Sequence, residues 1–178
     1  MRVGLLFNVM LILLISCQKT PPGDILPPPS NTGEHTLGFF VNGEAWIPYD
    51  RGNHEVHELP KAKLTRDGSL KISATKVNDR LGCRHWFCIE IEQKCHGPGK
   101  YDLSNVECNS PYQTFYYGEN RDKPGEVYEL VPGQSHYIEI THLDHRKKIV
   151  SGLFQFDAVS EFEDTLRVRS GRFDLNFE

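Results

Sequence analysis

Leu70-Lys71-Ile72-Ser73-Ala74-Thr75 changes character at every residue. Leu70, Ile72 and Ala74 are apolar, and the residues between them are polar. Side chains leave an extended chain on alternate faces, so a period of two marks a half-buried β-strand. Lys61-Ala62-Lys63-Leu64-Thr65 precedes it and is joined to it through Asp67-Gly68. A dipeptide of that kind accepts the positive φ of a tight hairpin turn. The chain therefore pairs antiparallel from its middle outward.

The same pattern recurs on both sides. In Arg84–Lys94, Phe87, Ile89 and Ile91 share one face, and Cys88, Glu90 and Glu92 the other. Val150, Phe154, Phe156 and Ala158 share a face of the longest run, Ile149–Val159. In Gly171–Phe177, Phe173, Leu175 and Phe177 face in while Arg172, Asp174 and Asn176 face out. Thr36–Val41 and Glu44–Ile47 flank Asn42-Gly43, whose residue types suit a type I′ turn. Further short strands are expected at Lys100–Leu103, Thr114–Tyr117, Val127–Val131, Tyr137–Leu143 and Leu166–Arg169. Roughly ten short strands with no amphipathic helix predict an all-β fold, either an antiparallel β-sandwich or a small β-barrel.

The N-terminus is built differently. Arg2 leads an apolar run from Val3 that ends at Ser16-Cys17. The run is shorter than the roughly 20 residues a bilayer-spanning helix needs. A basic start, a short apolar centre and a small residue at the end make a secretory signal peptide. Leu14-Ile15-Ser16-Cys17 is similar to a bacterial lipobox. That similarity implies cleavage before Cys17, a diacylglycerol on its Sγ, and further acylation of the new amino group by chains such as palmitate. Each buried CH₂ adds about 0.8 kcal/mol, so two or three such chains anchor a protein almost permanently. Pro21-Pro22 and Pro27-Pro28-Pro29 follow, with little apolar content. The expected organisation is a lipoprotein signal peptide at 1–16, the lipid-bearing Cys17 and a Pro-rich, disordered tether over 17–35, and a globular β-domain at 36–178.

Composition limits the partners. Hydrophobic residues make up 38% and charged residues 25%, an ordinary globular balance. The net charge of −4 offers no bulk basic surface for nucleic acid. Membrane contact through Cys17 is expected, with a protein or glycan partner for the domain.

Phe40-Val41-Asn42-Gly43-Glu44-Ala45-Trp46, Ile138-Glu139-Ile140-Thr141-His142-Leu143-Asp144, Ile149-Val150-Ser151-Gly152-Leu153-Phe154-Gln155-Phe156 and Ser170-Gly171-Arg172-Phe173-Asp174 stand together in one chain. Their combination resembles a group of uncharacterised Bacteroidetes lipoproteins with the pattern VNG-x-x-W, VSG-x-F-x-F and G-x-F. The resemblance spans about Thr36 to Phe177 and implies an outer-membrane lipoprotein, facing the periplasm or the cell surface. Gln18-Lys19 partly resembles the surface-export signal of that group, which usually continues with acidic residues where Thr20-Pro21 stand here. The resemblance carries over no activity and no catalytic residue.

Several constellations bear on chemistry. Cys83, Cys88, Cys95 and Cys108 are even in number in an exported chain, which favours two disulfides, with three pairings open. Cys95 with Cys108 would staple a crossover, and Cys83 with Cys88 would then close a small loop. Their spacings lack the C-x₂-C knuckle of a zinc site. His54/His57 with Glu55 and Glu58, and His142/His145 with Asp144, read as solvated loop histidines. Glu90/Glu92 and Glu161/Glu163 read as solvent-facing carboxylates. Tyr112, Phe115, Tyr116, Tyr117 and Tyr128 form an aromatic group that reads as ordinary core or edge packing, with a binding platform as the alternative. The resulting expectation is a non-catalytic binding or scaffolding domain with no metal or cofactor. Two alternatives are a polymer hydrolase with carboxylates or a metal at strand-end loops, and a lipid or small-ligand carrier if the sheet closes as a barrel.

Overall fold

The computed structural model describes residues 26–48, 59–78, 82–91, 93–103, 111–116, 125–131, 134 and 136–178. Among these, eleven strands form: β1 (Thr36–Val41), β2 (Glu44–Trp46), β3 (Lys61–Leu64), β4 (Leu70–Asn78), β5 (Cys83–Ile91), β6 (Gly99–Asp102), β7 (Tyr112–Tyr116), β8 (Glu126–Leu130), β9 (Tyr137–Asp144), β10 (Ile149–Ser160) and β11 (Thr165–Asn176). No helix is present among the described residues. The fold is all-β, as the alternating pattern predicts.

The strands pair antiparallel in the order β2-β1-β11-β10-β8-β7-β5-β4-β3. One edge of β10 has two partners, β9 along Ile149–Gln155 and β8 along Ala158–Ser160. β6 in turn pairs β9. That split lets the sheet turn over into two layers, as in sandwiches whose long strands pass between sheets through bends and bulges. Aromatic rings fill the gap. Phe87 of β5 lies 4.9 Å from Phe39 of β1 and 5.2 Å from Phe154 of β10, centroid to centroid. Trp46 stacks on Phe39 at 4.6 Å.

Among the described residues the sheet does not close into a barrel. Its edge strand β3 meets the end of the chain through one isolated parallel bridge, Ala62 to Phe177, rather than a ladder. The premise of the carrier reading is therefore not met.

The sequence pattern predicts two strands on either side of Ser170, but β11 runs through. Phe154 faces Gly171 and Phe156 faces Val168, while Gly38 faces Arg172 and Phe40 faces Arg169. β11 thus holds one residue more than either neighbour, a β-bulge. Ser170 takes it up with φ of 53°. Arg169 Nη1 donates to the Phe156 carbonyl at 3.1 Å and pairs with Asp157, which fastens the bulge. The strand bends without ending. At Asn42-Gly43 the expected turn is present, with φ of 50° and 91°. The Asn42 side chain also accepts from Arg167 N at 2.8 Å and donates to Thr165 O at 3.1 Å.

Residues 26–35, read from sequence as free tether, lie on the outer face of β1, β10 and β11. Leu26 is only 3% exposed. A Cβ on Gly38 would stand 2.8 Å from Pro27 Cδ and 3.3 Å from Leu26 Cδ2, so the strap sits directly on that glycine. The strap's apolar content is sparse, but one buried leucine and a set of hydrogen bonds to Asp174 suffice to hold it.

Gly171 is a tight point of the core. A Cβ there would fall 2.5–2.7 Å from three ring atoms of Phe154. Gly171→Ala is expected to lower stability by about 1–3 kcal/mol through overpacking. Urea unfolding of the domain should show a lower midpoint with an unchanged slope.

Candidate functional site

Two polar clusters stand out. The first is on the outer face of β10 and β11. Asp174 points out of the core, as alternation requires, yet is 1% exposed because the strap covers it. Its carboxylate accepts from Ser30 Oγ at 2.6 Å and Ser151 Oγ at 2.7 Å. It also accepts from the backbone N–H groups of Thr32 and Gly33 at 3.0 Å and Glu34 at 3.1 Å. Burial pushes this carboxyl up, but the donors of Ser30, Ser151, Glu34 and Gly33 outweigh it and hold it below the usual range. Gly33 at φ of 78° and His35 at φ of 55° shape the turn that presents these donors. Beside the clasp lies a pocket of about 260 Å³ bounded by Pro28, Pro29, Leu153, Arg172 and Phe173.

The second cluster lies on the core-facing side of β5. Cys83, His85 and Phe87 share that side at strand spacing. Cys83 Sγ lies 3.4 Å from His85 Nε2, and the Tyr112 hydroxyl lies 2.7 Å from His85 Nδ1. Burial raises the Tyr112 phenol far above its usual value, so it keeps its proton. Nδ1 is the acceptor within reach, and the neutral ring then carries its hydrogen on Nε2, aimed at the sulfur. In that tautomer His85 has no lone pair to take the thiol proton. Burial, opposed by Lys76, raises the Cys83 thiol. Burial and Lys76 lower the His85 imidazole against the pull of Glu126. Both groups are held neutral, whereas a nucleophilic cysteine must be thiolate. Tyr128 stacks edge-on against Tyr112 at 5.8 Å and donates to Glu126 Oε2 at 2.7 Å.

The remaining expectations sort by position. Cys83 and Cys88 lie in one strand, five residues apart, and extended chain separates them by about 17 Å. A disulfide spans at most about 7 Å between Cα atoms, so these two cannot pair. Cys83 and Cys95 are free thiols, both buried. Cys88 is disulfide-bonded, with its partner outside the described residues. The expectation of two bridges among four cysteines is thereby corrected. The missed signal was strand length: beginning the strand at Cys83 rather than Arg84 makes the Cys83–Cys88 loop impossible.

Tyr112 and Tyr128 are 5% and 9% exposed and belong to the core, so neither serves as an open platform. The backbones of Phe115 and Tyr116 lie in β7, and Tyr117 falls outside the described residues. Cys17, Cys108, His54, His57, Glu55, Glu58 and Glu92 also fall outside them. Asp144 Oδ1 caps its turn by accepting from Arg146 N at 2.8 Å and Lys147 N at 2.9 Å. His145 packs edge-on against Phe177 at 6.0 Å. Glu161 and Glu163 are exposed, and Glu90 accepts from Ser69 Oγ at 3.1 Å. No group of three or more His, Cys, Asp or Glu that could hold a metal occurs among the described residues. His136, which sequence reading passed over, is buried; Asp157 N donates to its Nδ1 and Nε2 donates to Val131 O at 2.7 Å. No pattern in the chain marked it.

Compared with known proteins, no family model matches the chain, and no curated protein or solved structure is similar to it.

Two outcomes are expected. Alkylation of the unfolded Cys17→Ser protein without reductant should label two cysteines, Cys83 and Cys95, by intact mass and peptide mapping. Four labels would remove the disulfide at Cys88. Asp174→Ala should cost about 2–3 kcal/mol, because it leaves buried donors unpaired. The folded carboxyl titrates below its unfolded value, so its contribution is complete above the ordinary Asp range and is lost as pH falls through the folded value. Acid titration of stability should therefore be shallower in Asp174→Asn than in the native protein.

Proposed function

We propose that this chain is a lipid-anchored envelope protein of the Bacteroidetes outer membrane, with a non-catalytic β-domain that binds or scaffolds a protein or glycan partner. The observation that carries this reading is Leu14-Ile15-Ser16-Cys17 closing a short apolar run behind Arg2. In this reading Cys17 carries diacylglycerol. An oxidised cysteine is consistent with an exported domain. The neutral state of Cys83 and His85 is consistent with this pair being structural rather than a nucleophilic centre. The buried positions of Tyr112 and Tyr128 move the search for a partner surface away from those rings and onto the outer faces of the sandwich.

Cys17→Ser should remove the lipid and release the protein from membranes. Fractionation of cells expressing the variant tests this directly. A variant that stays wholly in the membrane fraction would sink the anchor, and an unacylated mature mass of the native protein would do the same.

A further inference from the structure

The strap has a geometric consequence that deepens the anchor reading and rests on it. Cys17 and Leu26 are nine residues apart, and extended chain of that length spans at most about 30 Å. Leu26 is buried against Gly38, and Ser30, Thr32, Gly33 and Glu34 are tied to Asp174. Leu26, the first described residue, is thus on the outer face of β1, β10 and β11. Without the clasp, the free chain would run to Thr36 and reach about 60 Å, enough for the domain to tumble freely.

The face so placed has the chemistry of a lipid contact. Leu153 is 40% exposed there. The pocket beside it has Pro28, Pro29 and Phe173 as apolar walls, with Arg172 among its lining. Arg172 Nε is buried and has no hydrogen-bond partner among the described residues. A guanidinium in a mostly apolar pocket, which Ser30, Thr36, Thr141 and Asp174 also line, suits a phosphate oxygen, and the phosphates nearest a lipid-anchored protein are those of headgroups.

We infer that the Asp174 clasp turns the outer face of β1, β10 and β11 toward the bilayer, where Arg172 meets a phospholipid phosphate, leaving the outer face of β3, β4 and β5 as the one presented outward.

The test uses the mature, acylated protein in phosphatidylethanolamine–phosphatidylglycerol vesicles carrying a headgroup acceptor dye. A donor dye is placed at Lys100→Cys, on the near face beside Glu139, or at Lys63→Cys, on the far face. Cys83 and Cys95 are buried and leave the introduced thiol as the reactive one. Flotation first establishes that the protein is anchored; protein that does not float overturns the anchor reading itself. In floated protein, energy transfer should be several-fold stronger from position 100 than from position 63. Asp174→Ala should bring that ratio close to one. A ten-residue Gly/Ser insertion between Ile25 and Leu26, which leaves the folded domain untouched, should do the same. Arg172→Gln should weaken transfer from position 100 while the fold is retained. A native ratio of one, or a ratio that survives the insertion, overturns the orientation. Unchanged transfer in Arg172→Gln overturns the phosphate contact.

Discussion

Phe154 lies where a side chain of residue 171 would be. Because Gly171 has none, β10 and β11 approach closely enough to stay paired across their whole length. That long ladder is the one element both layers share. Its upper part carries β9 and β1, and its lower part carries β8 and, through it, β7, β5, β4 and β3. The bulge at Arg169–Ser170 bends the ladder at the point where the layers diverge. Phe39, Phe87, Phe154 and Phe156 then meet in one cluster. Overpacking at this crossing would be felt in every layer, since native cores have few voids to absorb an added methyl.

A second constraint acts from outside. The carboxylate of Asp174 would lose solvation under the strap without compensation. Two hydroxyls and three backbone N–H groups replace the water. The strap in turn gains partners for backbone donors that a proline-rich segment rarely satisfies. Each side of the contact makes the other affordable, and a segment with one buried leucine is held on the domain. The buried polar groups of the Cys83 cluster follow the same rule differently: they are satisfied by staying uncharged, with a phenol, an imidazole and a thiol in a chain.

The legible parts of the sequence were those governed by period and turn chemistry. Leu70–Thr75 and Ile149–Val159 read correctly because one face of each is buried and the other is not. Asn42-Gly43 read correctly because few residue pairs tolerate positive φ twice. Errors arose where two distant segments meet. Asp174 looked like an ordinary outward-facing acid until the strap, some 140 residues earlier, came to lie on it. Tyr112 and Tyr128 were open to either core packing or a binding platform, and pairing of β7 with β8 decides for the core, with Tyr112 against Trp46 and Tyr128 against Tyr112.

By itself, the sequence determined the all-β class, the main turns and the inward residues of most strands. All of these depend on residues close together in the chain. Only the tertiary structure decided that the sheet folds as an open sandwich, that β11 continues through its bulge, that Cys83 and Cys95 stay reduced, and that residues 26–35 belong to the domain. Those outcomes depend on which segments pack against which. Local pattern carries no record of that, because the same alternation serves a barrel, a sandwich or an exposed face equally well.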